Sequence, residues 1–266
     1  MTTEIFLANM TWEEAGKRAK ESGIAILPIG STEEHGYHIA LSSDAFQVTE
    51  IVRRACEEVA DEVKPVIAPT IPYGVGAKMI AKDFPGTLFV SIDSMKHFVK
   101  DICETLALSG FTKIVILDGH GGNPPAMVQV TKEITEETGA ACMYLFWKWV
   151  IPKEFMSKII ETPTPYNHAC EAETSVNLYL GNRVLMERAV DAIPKDPVWN
   201  LRGMFEHDSG TLWYPGDLKK ETNGTGVMGV PTRATKEKGR AIFEEGTKGI
   251  ANLLRELSKM PNVYGK

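Results

Sequence analysis

A chain of 266 residues has room for one large α/β domain or two small ones, and its 43% apolar and 24% charged residues match an ordinary globular protein. A formal net charge of −6, with no run of basic residues, weighs against nucleic acid and against an anionic membrane as partners. No apolar run approaches the roughly 18 residues of a membrane span.

The opening MTTEIFLANMTWEEAGKRAK has neither the basic start nor the apolar stretch of a signal peptide. Segment 24–28 (IAILP) reads as a buried strand, and 44–59 as a helix with apolar residues at helical spacing. A second strand is expected at 66–70 (VIAPT), then a helix over 94–109 with Ser94 as its N-cap. Segment 113–117 (KIVIL) is a third strand, 125–138 a helix, and 141–146 (ACMYLF) a fourth strand. Helices are expected over about 169–181 and 236–258. Strands separated by helices call for a mostly parallel sheet covered on both faces. The stretch 184–232, rich in Gly, Pro, Trp and Asp, is irregular, and a loop region that long inside a domain is usually functional. The reading is a single domain over 1–266, with 184–232 shaping a pocket. The four cysteines (Cys56, Cys103, Cys142, Cys170) are widely spaced without a Cys-x-x-Cys pair, so disulfides are not expected and a cytoplasmic location fits.

Three segments carry chemistry. Gly30-Ser31-Thr32-Glu33-Glu34-His35-Gly36-Tyr37-His38 begins where the first strand ends, and Asp44 follows at the start of a helix. Glu33 and His35 are two apart, so in an extended stretch their side chains leave the same side. Carboxylate oxygen with imidazole nitrogen suits Zn, Mn or Fe(II), and Asp44 is placed to bridge two ions. Asp118-Gly119-His120-Gly121-Gly122-Asn123 follows the third strand directly, and its glycines permit a tight turn around His120. Ligands of open parallel sheets bind outside the carboxyl ends of strands, where both segments lie. His168-Ala169-Cys170-Glu171-Ala172-Glu173 opens a helix. There His168 and Glu171, three apart, can face the same way, whereas His168 and Glu173, five apart, share a face less well. Taken singly, each segment has a bland reading: a solvated loop, a phosphate-binding or structural turn, an acidic helix start. His97 reads as surface. His207 could line a pocket but reads better as exposed. His38 divides between a structural role and one near the substrate. Trp147, Trp149, Trp199, Trp213 and Tyr214 are pocket candidates, with core packing as the alternative.

These motifs resemble the creatininase (creatinine amidohydrolase) family. GSTEEHGYHIALSSD is similar to its Gly-Ser-x-Glu-Gln-His-Gly-x-His-Leu-Pro-x-x-x-Asp signature, with Glu34 for Gln and Ile39-Ala40 for Leu-Pro. DGHGGN resembles Asn-Gly-His-Gly-Gly-Asn, and HACEAETS resembles His-Ala-Gly-Glu-x-Glu-Thr-Ser, with Cys170 for Gly. The Phe84-Pro-Gly-Thr87 and Gly229-Val-Pro-Thr-x-Ala-Thr235 segments also match.

The resemblance implies a three-layer α/β/α sandwich and two divalent metal ions per chain (Zn, Mn or Fe). It implies a homo-oligomer, with a hexamer as the candidate, and a small-molecule substrate. By match, Glu33 and His120 hold one ion, His35 the other, and Asp44 both. His168 would exchange protons with the reacting group, and Glu173 would orient it or shuttle a proton. Creatininases carry Tyr-Glu after the histidine of the second motif, and that Glu binds the second ion; here Gly121 and Gly122 stand instead. Glu171 is the expected replacement, although Glu173 stays open as the ligand that completes the second site. The implied reaction is attack of a metal-activated water on a cyclic amide or related small carbonyl compound. Loss of the Glu makes creatinine itself doubtful. The family also holds a formamidopyrimidine deformylase, a peptidase of cofactor maturation and a diketo-inositol hydrolase. The alternatives are therefore C–C hydrolysis of a cyclic diketone, or a non-catalytic metal-binding protein. A serine hydrolase using Ser31 is disfavoured, because no Gly-x-Ser-x-Gly elbow is present.

Overall fold

The structure is a computed structural model and describes residues 3–162, 168–193 and 218–261. Trp199, Trp213 and Tyr214, pocket candidates, and His207, read as exposed, lie outside the described residues.

Helix α1 (Trp12–Glu21) starts at a capping box, in which the Thr11 hydroxyl accepts from the Glu14 amide and the Glu14 carboxylate accepts from the Thr11 amide. Strand β1 (Ile24–Ile29) and helix α2 (Ser43–Glu58) follow. Next come the two-residue strands β2 (Val66–Ile67) and β3 (Gly74–Val75), the single turn α3 (Ile80–Asp83), β4 (Phe89–Val90) and helix α4 (Ile92–Leu108). Strand β5 (Lys113–Asp118), helix α5 (Pro124–Thr138) and strand β6 (Ala141–Phe146) complete the central part. The chain then forms α6 (Lys153–Ile159), α7 (Glu171–Leu180), the short α8 (Leu218–Glu221) and the long α9 (Lys236–Lys259).

The main sheet is wholly parallel in the order β2-β1-β5-β6, with Ile24↔Lys113 through Ile29↔Asp118 in register at its centre. β3 and β4 form a separate parallel pair. Alternate strand residues serve opposite faces. Ile24, Ile26, Val115 and Leu117 join the core under α2, α7 and α9; Ala25, Leu27, Ile29, Ile114 and Ile116 join the one under α4 and α5. This is why β1 reads as an unbroken apolar run: both of its faces are buried. Each such Leu or Ile is worth roughly 1.5–3 kcal/mol of burial.

Three expectations shift. The strand expected at 66–70 is confined to Val66–Ile67. The N-cap of α4 is Ser91, whose hydroxyl accepts from the Ser94 amide, so the helix begins before the position that composition suggested. The third motif does not lie within α7: the helix starts at Glu171, and His168 and Ala169 form a turn before it. None of the described helices is long and apolar enough to cross a membrane.

Candidate metal centre

Because Ile29 and Asp118 are neighbours in the sheet, the loops after β1 and β5 leave its carboxyl end side by side. The start of α2 lies directly on those loops. A Cβ on Gly119 would stand 2.6 Å from the Asp44 carbonyl oxygen, and one on Gly30 would overlap the backbone of Asp44 and Ala45. Hydrogen at both positions is what lets α2 approach and puts Asp44 between the two motifs.

The Asp44 carboxylate is shared. Its Oδ1 lies 3.1 Å from His35 Nε2 and its Oδ2 3.1 Å from His120 Nδ1. Glu33 Oε2 lies 3.2 Å from His120 Nδ1 and accepts from the Ser31 hydroxyl at 3.2 Å, while Oε1 is 3.5 Å from His168 Nδ1. Glu173 Oε2 is 3.8 Å from His35 Nε2. The far nitrogens are engaged too: His120 Nε2 donates to the Val75 carbonyl at 2.9 Å, and His35 Nδ1 to the Glu33 carbonyl at 3.2 Å. These bonds fix the rings and turn His120 Nδ1 and His35 Nε2 toward the carboxylates.

Burial opposes the charges on His120, His35, His168 and Asp44, and their oppositely charged neighbours prevail. Burial works against the imidazolium of His120, but Glu33 and Asp44 hold its pKa well above the usual value. His35 is raised against burial by Asp44 and Glu173. His168 is raised to about 10, again against burial, by Glu34 and Glu33. Burial disfavours the Asp44 carboxylate, yet His35 and His120 hold its pKa well below the ordinary range. The carboxylates that favour positive charge on these rings would attract a divalent cation in the same way.

Three donor groups have their candidate ligand atoms within 4.8 Å of one another: Glu33, Asp44 and His120; His35, Asp44 and Glu173; Glu33, His35 and His168. Carboxylate oxygens with imidazole nitrogens are the donor set of Zn, Mn or Fe(II), so the residues present fit divalent ions.

Glu171 does not join them. It precedes Glu173 by two residues in α7, about 200° round the helix, and points the other way. Its carboxylate pairs with Lys238 and accepts from the amides of Glu161 and Thr162. The three-residue spacing from His168 carries no helical meaning, because Ala169 (φ 49°) turns the chain before α7 begins. That turn brings His168 beside His35, ring centroids 4.4 Å apart, and seats the Ala169 amide 2.7 Å from Glu173 Oε2. A non-glycine residue in that region is strained, and such strain gathers at functional sites.

His168 Nε2 reaches both the backbone carbonyl (2.6 Å) and the carboxylate (2.9 Å) of Glu34, leaving Nδ1 toward Glu33. His38 is tied to the Thr174 hydroxyl at 2.9 Å. Asp118 accepts from the His120 amide and from Asn123 and Tyr144, and holds the turn. Trp147 is core and Trp149 is exposed.

One residue escaped the sequence reading. Lys148 is buried, and its Nζ donates to Glu173 Oε1 at 2.6 Å. The available signal was a charge inside the apolar run FWKWV, directly after a strand.

A cleft of about 300 Å³ opens over the centre. Its floor holds Glu33, Asp44, His120, His168 and Glu173, and Val75, Phe89 and Met228 supply apolar wall. Gly121 would meet nothing within 4 Å if it carried a Cβ, whereas one on Gly122 would run into the His120 ring, 2.5 Å from Nε2.

The model of the family described as creatinine amidohydrolase matches residues 8–254. The chain belongs to the creatininase family. It is 26% identical to the creatinine amidohydrolase of Pseudomonas putida, over 96% of this chain and 98% of that protein. It is 29% identical to the 3-dehydro-scyllo-inosose hydrolase of Thermotoga maritima, over 96% of this chain and 83% of that one. It is 25% identical to the mycofactocin precursor peptide peptidase of Mycolicibacterium smegmatis, over 87% and 84% respectively. The solved manganese form of creatininase has the same fold, with a TM-score of 0.81 at 23% identity over 97% of this chain and all of that one. A mutant creatininase of the Zn–Zn type superposes with a TM-score of 0.79 at 24% identity, over 96% and 98%. The three-layer arrangement implied by the motifs is therefore the fold of this family member.

Proposed function

We propose that this creatininase-family hydrolase works with two divalent ions, one held by Glu33, Asp44 and His120 and the other by His35, Asp44 and Glu173. The observation that carries the reading is the Asp44 carboxylate, each of whose oxygens lies 3.1 Å from a different histidine. Glu173 takes the place for which Glu171 was considered. Manganese and zinc are the first candidates, with iron beside them on the same donor chemistry.

Divalent ions in such a centre supply Lewis-acid polarisation of a carbonyl and lower the pKa of water toward neutrality. The chain's own residues do the rest. The Glu34 carbonyl and carboxylate orient His168, which leaves Nδ1 as the atom that carries a proton to the leaving group. The apolar wall of the cleft holds a small substrate and limits water. The reaction is hydrolysis of a cyclic amide or related small carbonyl compound. A second reading, ring opening of a cyclic diketone, is favoured by the likeness to the Thermotoga hydrolase. The chain is expected to act in the cytoplasm and as a homo-oligomer, with Ile92, Phe98 and Leu108 of α4 supplying exposed apolar surface.

The first test is metal analysis of protein purified without added metal, beside a Glu33→Ala/His120→Ala variant. Two ions per chain in the wild type, lost in the variant, support the reading and justify assaying cyclic amides against cyclic diketones. A wild type that neither carries nor takes up metal removes it.

A further inference from the structure

Lys148 lies in the short turn Trp147–Val150 that follows β6, with its side chain 4% exposed. Its ammonium is 5.6 and 5.7 Å from the ring centroids of Phe146 and Trp147 and donates to Glu173 Oε1 at 2.6 Å. Glu173 Oε2 accepts from the Ala169 amide and faces His35. A buried lysine is costly unless paired, and this one has a carboxylate that the centre also needs.

We propose that Lys148 is a positioning residue that keeps Glu173 Oε1 out of the metal centre and, through its charge, makes the His35–Asp44–Glu173 half hold its cation more weakly than the Glu33–Asp44–His120 half. The inference rests on the two-ion reading above. With Oε1 committed to the ammonium, Glu173 offers the centre one oxygen, Oε2. A fixed positive charge one carboxylate away also opposes a second positive charge at that oxygen. The opposite half has no ammonium paired to a carboxylate: the Lys148 charge acts on the shared Asp44 without pairing to it, and among the described residues Glu33 and Asp44 form ion pairs with histidines alone.

Two consequences of Lys148 work against each other. Fixing a carboxylate favours binding, because less rotamer freedom is lost when the ion arrives. Like charge disfavours it, and in a buried site that repulsion is screened little. Glu173 Oε2 is already held by the Ala169 amide, so the orienting benefit that Lys148 adds is small and charge decides. The device separates the two ions, leaving one firmly held and one exchangeable.

The experiment is a Mn²⁺ titration of the metal-stripped full chain by equilibrium dialysis, comparing wild type with Lys148→Met and Lys148→Gln. In Lys148→Met the second Mn²⁺ should bind at least ~10-fold tighter, about 1.4 kcal/mol, while the first shifts far less. Lys148→Gln keeps a donor to Oε1 without the charge and should tighten the same ion, which serves if the Met variant does not fold. Metal-free Lys148→Met should also melt lower than wild type, because Glu173 loses its buried partner. A second ion bound equally or more weakly in both variants overturns the role given to Lys148 while leaving two ions in place. If wild type and both variants stop at one Mn²⁺, the two-ion reading itself fails, and this inference falls with it.

Discussion

Glu33, His35 and His120 meet Asp44 from the loops after two neighbouring strands, whereas Glu173 comes to it from α7, with a lysine behind it. The sheet register brings those loops together, and the hydroxyl of Ser31 and the carbonyl of Val75 hold Glu33 and His120. Glu173 depends on a strained turn at Ala169 and on a buried ion pair. The Glu33–Asp44–His120 half is thus set by topology throughout, while the other half adds one carboxylate that must be oriented separately. The difference predicts where the centre tolerates change.

The largest effect belongs to the residue that both halves share. Asp44→Asn should cost both ions, read as metal content near zero, with turnover falling by roughly 10³-fold or more. Glu33→Gln and Glu173→Gln should each cost one ion. If Asp44→Asn keeps a full complement, the halves are not joined there and the comparison breaks. His168→Ala comes next. It should keep its metal and lose ~10²- to 10⁴-fold in kcat, the range of a missing general acid. Loss of an ion in that variant would instead make His168 a ligand, as the Glu33–His35–His168 grouping allows.

Glu171→Gln sharpens the second half. Its carboxylate belongs to a buried lock among α7, α9 and the chain after α6, where Lys238 and two amides meet it. Metal stoichiometry should not change, and urea denaturation should show a loss of about 2 kcal/mol. A fall in metal content with stability intact would return Glu171 to the centre.

The strand-end half was legible because its position follows from rules the sequence displays. Apolar runs gave β1 and β5, the parallel sheet put their carboxyl ends together, and Glu33, Asp44 and His120 sat just beyond. Glu173 was less legible, since its face depends on where α7 starts, and the three-residue offset between His168 and Glu171 suggests a shared helical face although a left-handed Ala169 intervenes. Helix boundaries are weakly encoded, and faces counted from a wrong start rotate by 100° per residue. Lys148 was least legible. Nothing in its local pattern names the carboxylate that makes its burial tolerable, because that partner is 25 residues away in sequence.

The smallest predicted effect concerns the tie between the first motif and α7. His38, from the first motif, bonds the hydroxyl of Thr174, the residue after Glu173. Burial pushes the His38 pKa down to about 4. An unfolded chain binds this proton near pH 6.5, so between about pH 6.5 and 4 the unfolded state holds more protons than the folded one. The stability from neutral His38 is therefore complete above about pH 6.5 and is lost as pH falls through that window. His38→Gln keeps a group able to reach Thr174 and removes the titration. Melting midpoints of metal-free protein, followed from about pH 7.5 down to pH 5, should fall less steeply in the variant than in the wild type. Parallel slopes would mean that His38 is protonated as readily in the folded chain as in the unfolded one, and that the seam between the first motif and α7 admits water.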